Sequence, residues 1–253
     1  MNRYRTYRTE GVVIRQMPLG EADRILTLCS PDMGKVRAVA KGVRRTKSRL
    51  GGHLELLNRA SVSVAIGRNL DTISEAYAIS TFGGIRGDLQ RVSRGLYVAE
   101  LVDCFSFEGN GNQAMYSLLL GTMHRLESGA SLDMLMRWFE MRLLECSGYM
   151  PELVHCVECR AWLEPADHLF ACDSGGALCP NCRAASGGAL LPLPLNTMKT
   201  LRFIQREVSF DKLEALSVPS QILNDMERLM RTYIRQIVER EVRSAEFVSR
   251  TNN

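Results

Sequence analysis

At 253 residues, 45% hydrophobic and 24% charged, the chain can bury a proper core and has the make-up of an ordinary globular protein, with no low-complexity tract or internal repeat. No apolar run approaches the roughly 20 residues that span a bilayer, and Met1–Glu10 is polar and basic with no apolar stretch behind it, so neither a membrane span nor a signal peptide is expected and a cytosolic location is. The net charge of +4 is uneven: residues 1–80 hold 14 Lys/Arg against 7 Asp/Glu and the remainder 18 against 21, which places the positive field on the N-terminal third, where a domain that meets phosphate would carry it.

Strand patterning opens the chain. Glu10–Arg15, Arg24–Leu28 and Lys35–Ala40 are β-branched or alternating, with a turn at Pro31-Asp32-Met33-Gly34; Ala60–Ile66 and Leu70–Tyr77 follow, joined by Gly67-Arg68-Asn69. Five short strands in about 80 residues suit a small closed barrel, and the OB-fold is the common barrel of this size that handles nucleic acid. Periodicity alone accommodates a generic β-barrel equally well.

Between the third and fourth strands lies the first chemical constellation. Lys35, Arg37, Lys41, Arg44, Arg45, Lys47 and Arg49 fall in a stretch with no acidic residue from Met33 to Leu54, so they stand uncompensated along the chain. In Lys41–Arg49 the cations alternate with small and polar residues that leave backbone N–H and hydroxyl groups free to approach phosphate. With Arg15 and Arg24 on the preceding strands, these are the candidate DNA-binding residues. Arg3-Tyr4-Arg5-Thr6-Tyr7-Arg8 interleaves aromatics with arginines and could add base stacking. A solvated basic loop without a partner is the plainer alternative.

After Gly83-Gly84 the period becomes helical. Leu89, Val92, Leu96, Ala99, Leu101 and Val102 form one stripe, broken by Glu108–Asn112; Met115, Leu118, Leu119, Met123 and Leu126 mark a second helix. Ser131 is the expected N-cap of a third, with Asp133 in its first turn and Gly148 at its end. Residues 150–190 lose this period and carry five cysteines, as expected of an insert held by something other than a core. Helical patterning returns at Thr197–Glu207 and at Ser220–Glu239, whose wide apolar face reads as helix packing.

The second constellation lies in that insert. Cys156-x-x-Cys159 and Cys179-x-x-Cys182, separated by 19 residues, have the spacing of a four-thiolate zinc site, because two intervening residues let both sulfurs of a pair converge on one ion. A cytosolic disulfide framework and a redox pair both fit less well. Four sulfur ligands leave no open position, so a single zinc there would be structural; Cys172, His155 and His168 are the substitutes should one cysteine not bind. A zinc deaminase would use His53-Leu54-Glu55 with Cys179 and Cys182, but Leu178 stands where that signature has Pro, and Cys156 and Cys159 would be left unexplained. Phosphate loops, dinucleotide fingerprints and hydrolase motifs are absent from the sequence, and no catalytic centre is expected.

The fold class expected is therefore α+β: an N-terminal OB-fold barrel (1–80), a helical domain (81–149 and 191–253) and an inserted four-cysteine zinc module (150–190). Several fragments occur in a specific order: Leu19-Gly20-Glu21-Ala22-Asp23-Arg24-Ile25-Leu26, Ala40-Lys41-Gly42 with Lys47-Ser48-Arg49, Tyr97 with Glu100-Leu101, Gly148-Tyr149-Met150-Pro151 before the first cysteine pair, and Gly175-Gly176-Ala177-Leu178 before the second. In that order, nearly end to end, the chain resembles the RecO family of bacterial recombinational repair mediators. The resemblance implies an OB-fold that binds single- and double-stranded DNA and anneals complementary strands coated by single-strand-binding protein. It further implies RecR as a partner, recruitment of the acidic C-terminal tail of the single-strand-binding protein, delivery of RecA, and a cytoplasmic, nucleoid-associated setting. Some relatives lack the cysteines, which agrees with a stabilising zinc. A zinc-ribbon adaptor whose basic loop meets acidic protein surfaces is the competing reading.

Overall fold

Alternating residues pair into a closed barrel in the computed structural model, which describes residues 6–185, 188–239 and 241–251. Its strands are β1 (Thr6–Leu19), β2 (Asp23–Ser30), β3 (Gly34–Ala40), β4 (Arg59–Ala65) and β5 (Asp71–Ser80), in the order β1-β2-β3-β5-β4 with β4 closing on β1. All neighbours are antiparallel except β3 and β5, which meet in parallel through Ala38 with Asp71 and Val39 with Thr72. The five strands expected from alternation are present in this OB-type barrel. β1 is much longer than expected because it serves two partners: Thr6–Val12 pairs with β4, and Val12–Leu19 pairs with β2 past a register shift. Val13, Leu26, Leu28, Ala38, Val62, Val64 and Ile73 fill the interior.

Helices follow: α1 (Gly83–Arg86), α2 (Leu89–Phe105), α3 (Gln113–Ser128) and α4 (Leu132–Cys146). Asp88 caps α2, its carboxylate accepting from the N–H groups of Gln90 and Arg91. Ser131 occupies the N-cap position of α4, but its side chain makes no capping bond, contrary to expectation; instead its own N–H donates to Glu214.

The chain forms two compact units, Met1–Ser128 with Arg243–Asn253, and Gly129–Val242. In the first, α8 (Arg243–Thr251), which the sequence pattern did not reveal, packs on α2, where the Glu100 carboxylate accepts from the N–H groups of Arg243 and Ser244 at the start of α8. The second contains α4, α5 (Leu195–Arg206), α6 (Phe210–Glu214) and α7 (Ser220–Val238). The apolar face of α7 buries Met226, Leu229, Met230, Tyr233 and Ile234, and α7 packs against α4 and α5, the packing role expected of it.

The cysteine segment corrects one expectation. It is not without a core: β6 (His168–Ala171), β7 (Gly176–Leu178) and β8 (Leu190–Leu193) form a small sheet in the order β7-β6-β8, and Leu153, Leu163, Phe170, Leu178 and Leu193 are buried. Strands of three or four residues are too short to show alternation. Among the described residues, no helix is long and apolar enough to cross a membrane.

Candidate nucleic-acid interface and metal centre

The basic run is a built turn, not a loose tether. At its start Gly42 adopts a left-handed conformation (φ +63°), and its N–H donates to the Asp23 carboxylate at 2.7 Å. Val43 points inward and is buried in the barrel core, while the Arg44 N–H bonds the Ala22 carbonyl at 2.9 Å. Two further turns, Arg45 N–H to Gly42 and Ser48 N–H to Arg45, carry the chain to Leu50, which packs against the same core. The Val43 carbonyl lies 3.1 Å from where a β-carbon on Gly51 would sit, so the run folds back on itself. Apolar plugs at Val43 and Leu50 thus hold Lys41, Arg44, Arg45, Lys47 and Arg49 outward, and all five are exposed.

The nine candidate cations divide into two groups. Arg15, Lys35 and Arg37 lie on the outer face of β1–β3, where α2 packs, and there they meet carboxylates far away in sequence. Asp103 takes Lys35 at 3.0 Å and Arg15 at 3.3 Å, and the Lys35 ammonium also donates to the Asp103 carbonyl; Glu108 lies 3.6 Å from Arg37. The side chains of Lys35 and Asp103 are 17% and 10% exposed, so this is a structural ion pair that α2 covers. Lys41, just past the end of β3, stands six positions after Lys35, about 20 Å farther along the strand direction. At that far end Arg24 opposes Ala40 and approaches Glu55 at 3.5 Å. Lys41, Arg44, Arg45, Lys47 and Arg49 have no carboxylate partner among the described residues. Such a surface can neutralise a polyanion without first breaking an internal pair. Of the Arg3–Arg8 segment, Arg3, Tyr4 and Arg5 lie outside the described residues, whereas Tyr7 packs against the barrel core and donates its hydroxyl to Asp71 at 3.0 Å.

In the second unit, Cys156, Cys159, Cys179 and Cys182 form one group whose sulfurs all lie within 4.8 Å of one another. Four ligands at ~2.3 Å from a central zinc define an S···S edge of about 3.8 Å. Cys159 and Cys179 stand 3.8 Å apart. All eight cysteines of the chain are free of disulfides. Burial alone would raise the Cys156 thiol, but the N–H groups of Cys179, Cys159 and Glu158, with the Cys159 thiol, outweigh it and bring the value down to about 6. The Cys182 thiol goes the other way, up to about 12, chiefly through hydrogen bonding with Cys179 and Cys159. One sulfur anion would turn its neighbours into donors, and a divalent cation among them would let all four ionise together.

The possible substitutes stand apart from this group. Burial pushes the Cys172 thiol up to about 11, with Asp173 adding to the effect and Arg235 opposing it; His168 bonds the Glu164 carbonyl; His155 sits edge-on to Trp162. The His53 of the deaminase pattern accepts the Ala78 N–H on the barrel and is not among the clustered ligands. Asp103 and Glu108, which decide which cations are engaged, were not singled out from sequence, since pairing across 68 residues leaves no local trace.

Comparison with known proteins covers the chain. A family profile described as "Recombination protein O N terminal" matches residues 1–82, and one described as "Recombination protein O C terminal" matches residues 86–246. Proteins named "DNA repair protein RecO" are similar over almost the whole length. That of Dehalococcoides mccartyi (strain CBDB1) is 41% identical, covering 95% of this chain and 94% of its own; that of Roseiflexus sp. (strain RS-1) is 39% identical, covering 97% and 86%; that of Desulforamulus reducens is 34% identical, covering 96% and 94%.

Proposed function

The chain belongs to the RecO family of DNA repair proteins, and from that premise we propose that its barrel grips single- and double-stranded DNA by the phosphate backbone and anneals complementary strands. The observation that carries this reading is the turn of Lys41, Arg44, Arg45, Lys47 and Arg49, exposed and without carboxylate partners among the described residues. Two strands repel each other through their phosphates, and cations held at fixed positions between them lower the barrier to their meeting. With five phosphate contacts, affinity for a single strand should fall against salt with a log–log slope of about −3.5.

In the cell, as we read it, this activity serves strands coated by single-strand-binding protein, whose acidic tail the helical part recruits; RecR is the working partner and RecA the recombinase delivered. The protein acts in the cytoplasm at the nucleoid and is not an enzyme. Cys156, Cys159, Cys179 and Cys182 would hold one zinc ion. When bound, the ion supplies four metal–sulfur bonds that tie the two knuckles together, and a filled sulfur shell keeps the site structural.

The test is the double variant Arg44→Glu with Lys47→Glu, assayed for folding, oligonucleotide binding and strand annealing with and without single-strand-binding protein, beside zinc content per chain. Folding should survive and DNA binding should vanish. Unchanged affinity at low salt would sink the reading and favour the adaptor alternative, in which the same turn meets an acidic protein surface.

A further inference from the structure

The outer face of β5 carries an aromatic ring that the phosphate contacts do not use. Tyr77 is 57% exposed, and Ile79, at the register shift two residues on, is 48% exposed. Across the ladder from Tyr77 stands Ser61, too small to cover the ring. The ring is nonetheless braced. His53 lies beside it with centroids 6.1 Å apart and planes at 49°, inside the range at which aromatic pairs attract. His53 is itself fixed, its Nδ1 accepting the Ala78 N–H at 3.2 Å.

This bracket belongs to the basic turn. His53 ends the single helical turn Gly51–His53 that follows Arg49, and the Leu50 carbonyl accepts the His53 N–H. Because the Val43 carbonyl lies against Gly51, Arg44 and Arg45 come close to the same turn. Four residues of chain span at most about 14 Å, which ties Arg49 to the neighbourhood of the His53–Tyr77 pair. On the opposite side Glu75, two residues earlier on the same face and bonded by the Ser63 hydroxyl, repels phosphate and leaves the backbone one favourable course, along the turn.

We propose that Tyr77, braced by His53, is a stacking platform for an unpaired base, and that it makes this surface prefer single-stranded over duplex nucleic acid. The inference rests on the reading that the Lys41–Arg49 turn holds phosphates. A ring of this kind accepts any base, because every base has a π-face, but it needs that face exposed, and in a duplex the faces are already stacked on one another. Charge alone favours the duplex, whose phosphates are denser. The platform supplies a term that only the single strand receives.

Binding of labelled oligo-dT and of a duplex of equal length to the full chain tests this, using Tyr77→Ala, Tyr77→Phe and the loop variant Lys47→Glu with Arg49→Glu. Tyr77→Ala should weaken oligo-dT binding about 5- to 150-fold, with duplex affinity within twofold and the salt slope unchanged, because no phosphate contact is lost. Tyr77→Phe keeps the ring and should bind as the parent does. Equal losses on both probes, or no loss on oligo-dT, would overturn the platform. If the loop variant abolishes binding while Tyr77→Ala changes nothing, the phosphate contacts stand and the stacking fails. If the loop variant binds normally, the phosphate reading itself is wrong, and the platform falls with it.

Discussion

The barrel keeps Val13, Leu26, Leu28, Val62 and Val64 inside and five cations, unpaired among the described residues, outside, on a turn plugged into that interior by Val43, whereas the cysteine module gathers four sulfurs where the proposed zinc would tie two stretches of its chain together. In the first region the cations proposed to meet DNA are separable from the groups that fold it. In the second the sulfurs would serve both purposes. Surface charge on the barrel should therefore change at little cost in stability, and the sulfurs should not, since the small sheet beside them buries only a few apolar side chains, such as Phe170 against Tyr233, and a bound metal would add to that.

The largest effect that would test this contrast is removal of the metal site. Cys156→Ser with Cys179→Ser, or chelation of the wild-type chain, should cost the module of order 10 kcal/mol of metal-linked stability. Hydrogen exchange should then show loss of protection at Phe170 and Ala177 while barrel amides at Leu26 and Val62 keep theirs. A module that stays protected after chelation would break the comparison.

Next comes the plug. Val43→Ala removes two buried methyl-sized groups and should lower the unfolding free energy by about 2–3 kcal/mol in denaturant titration. It should also weaken oligonucleotide binding, since it frees the turn that presents the cations; full affinity would mean that the turn needs no anchor.

A cation of the paired group should behave in the reverse sense to the exposed five. Lys35→Met leaves buried Asp103 with Arg15 alone and should cost about 1–3 kcal/mol of stability. The salt dependence of DNA binding should stay as it was, and a shallower slope would return Lys35 to the phosphate-contacting set.

The smallest effect lies at alkaline pH. Burial, and then the hydrogen bond and charge of Asp71, push the Tyr7 hydroxyl up to about 12 from its ordinary value near 10. The folded state thus holds this proton more tightly than the unfolded state. Its contribution is fully present below pH 10 and is lost as pH rises toward 12. Tyr7→Phe should flatten that part of the stability profile, measured by thermal unfolding between pH 9 and 12.

How much of this was legible beforehand follows from the range of each interaction. Alternation in Glu10–Arg15, Arg24–Leu28 and Lys35–Ala40, the helical stripe from Leu89 to Val102, and the paired C-x-x-C spacing are local patterns, and each points to its element or ligand set within a few residues. So does the density of cations from Lys41 to Arg49. The sequence by itself therefore determined a small barrel, a following helical part and a cluster of four cysteines.

Tertiary structure decided the rest. β3 meets β5 in parallel, β1 serves two neighbours, and α8 returns to α2 across some 140 residues. Asp103 claims Lys35 and Arg15 for the fold, while Lys41, Arg44, Arg45, Lys47 and Arg49 stay outside the reach of any described carboxylate. Only the closed fold brings His53 beside Tyr77, across 24 residues. Periodicity reports which face of an element is buried, and it is silent about which distant charge or ring arrives there; that depends on how the elements close and pack.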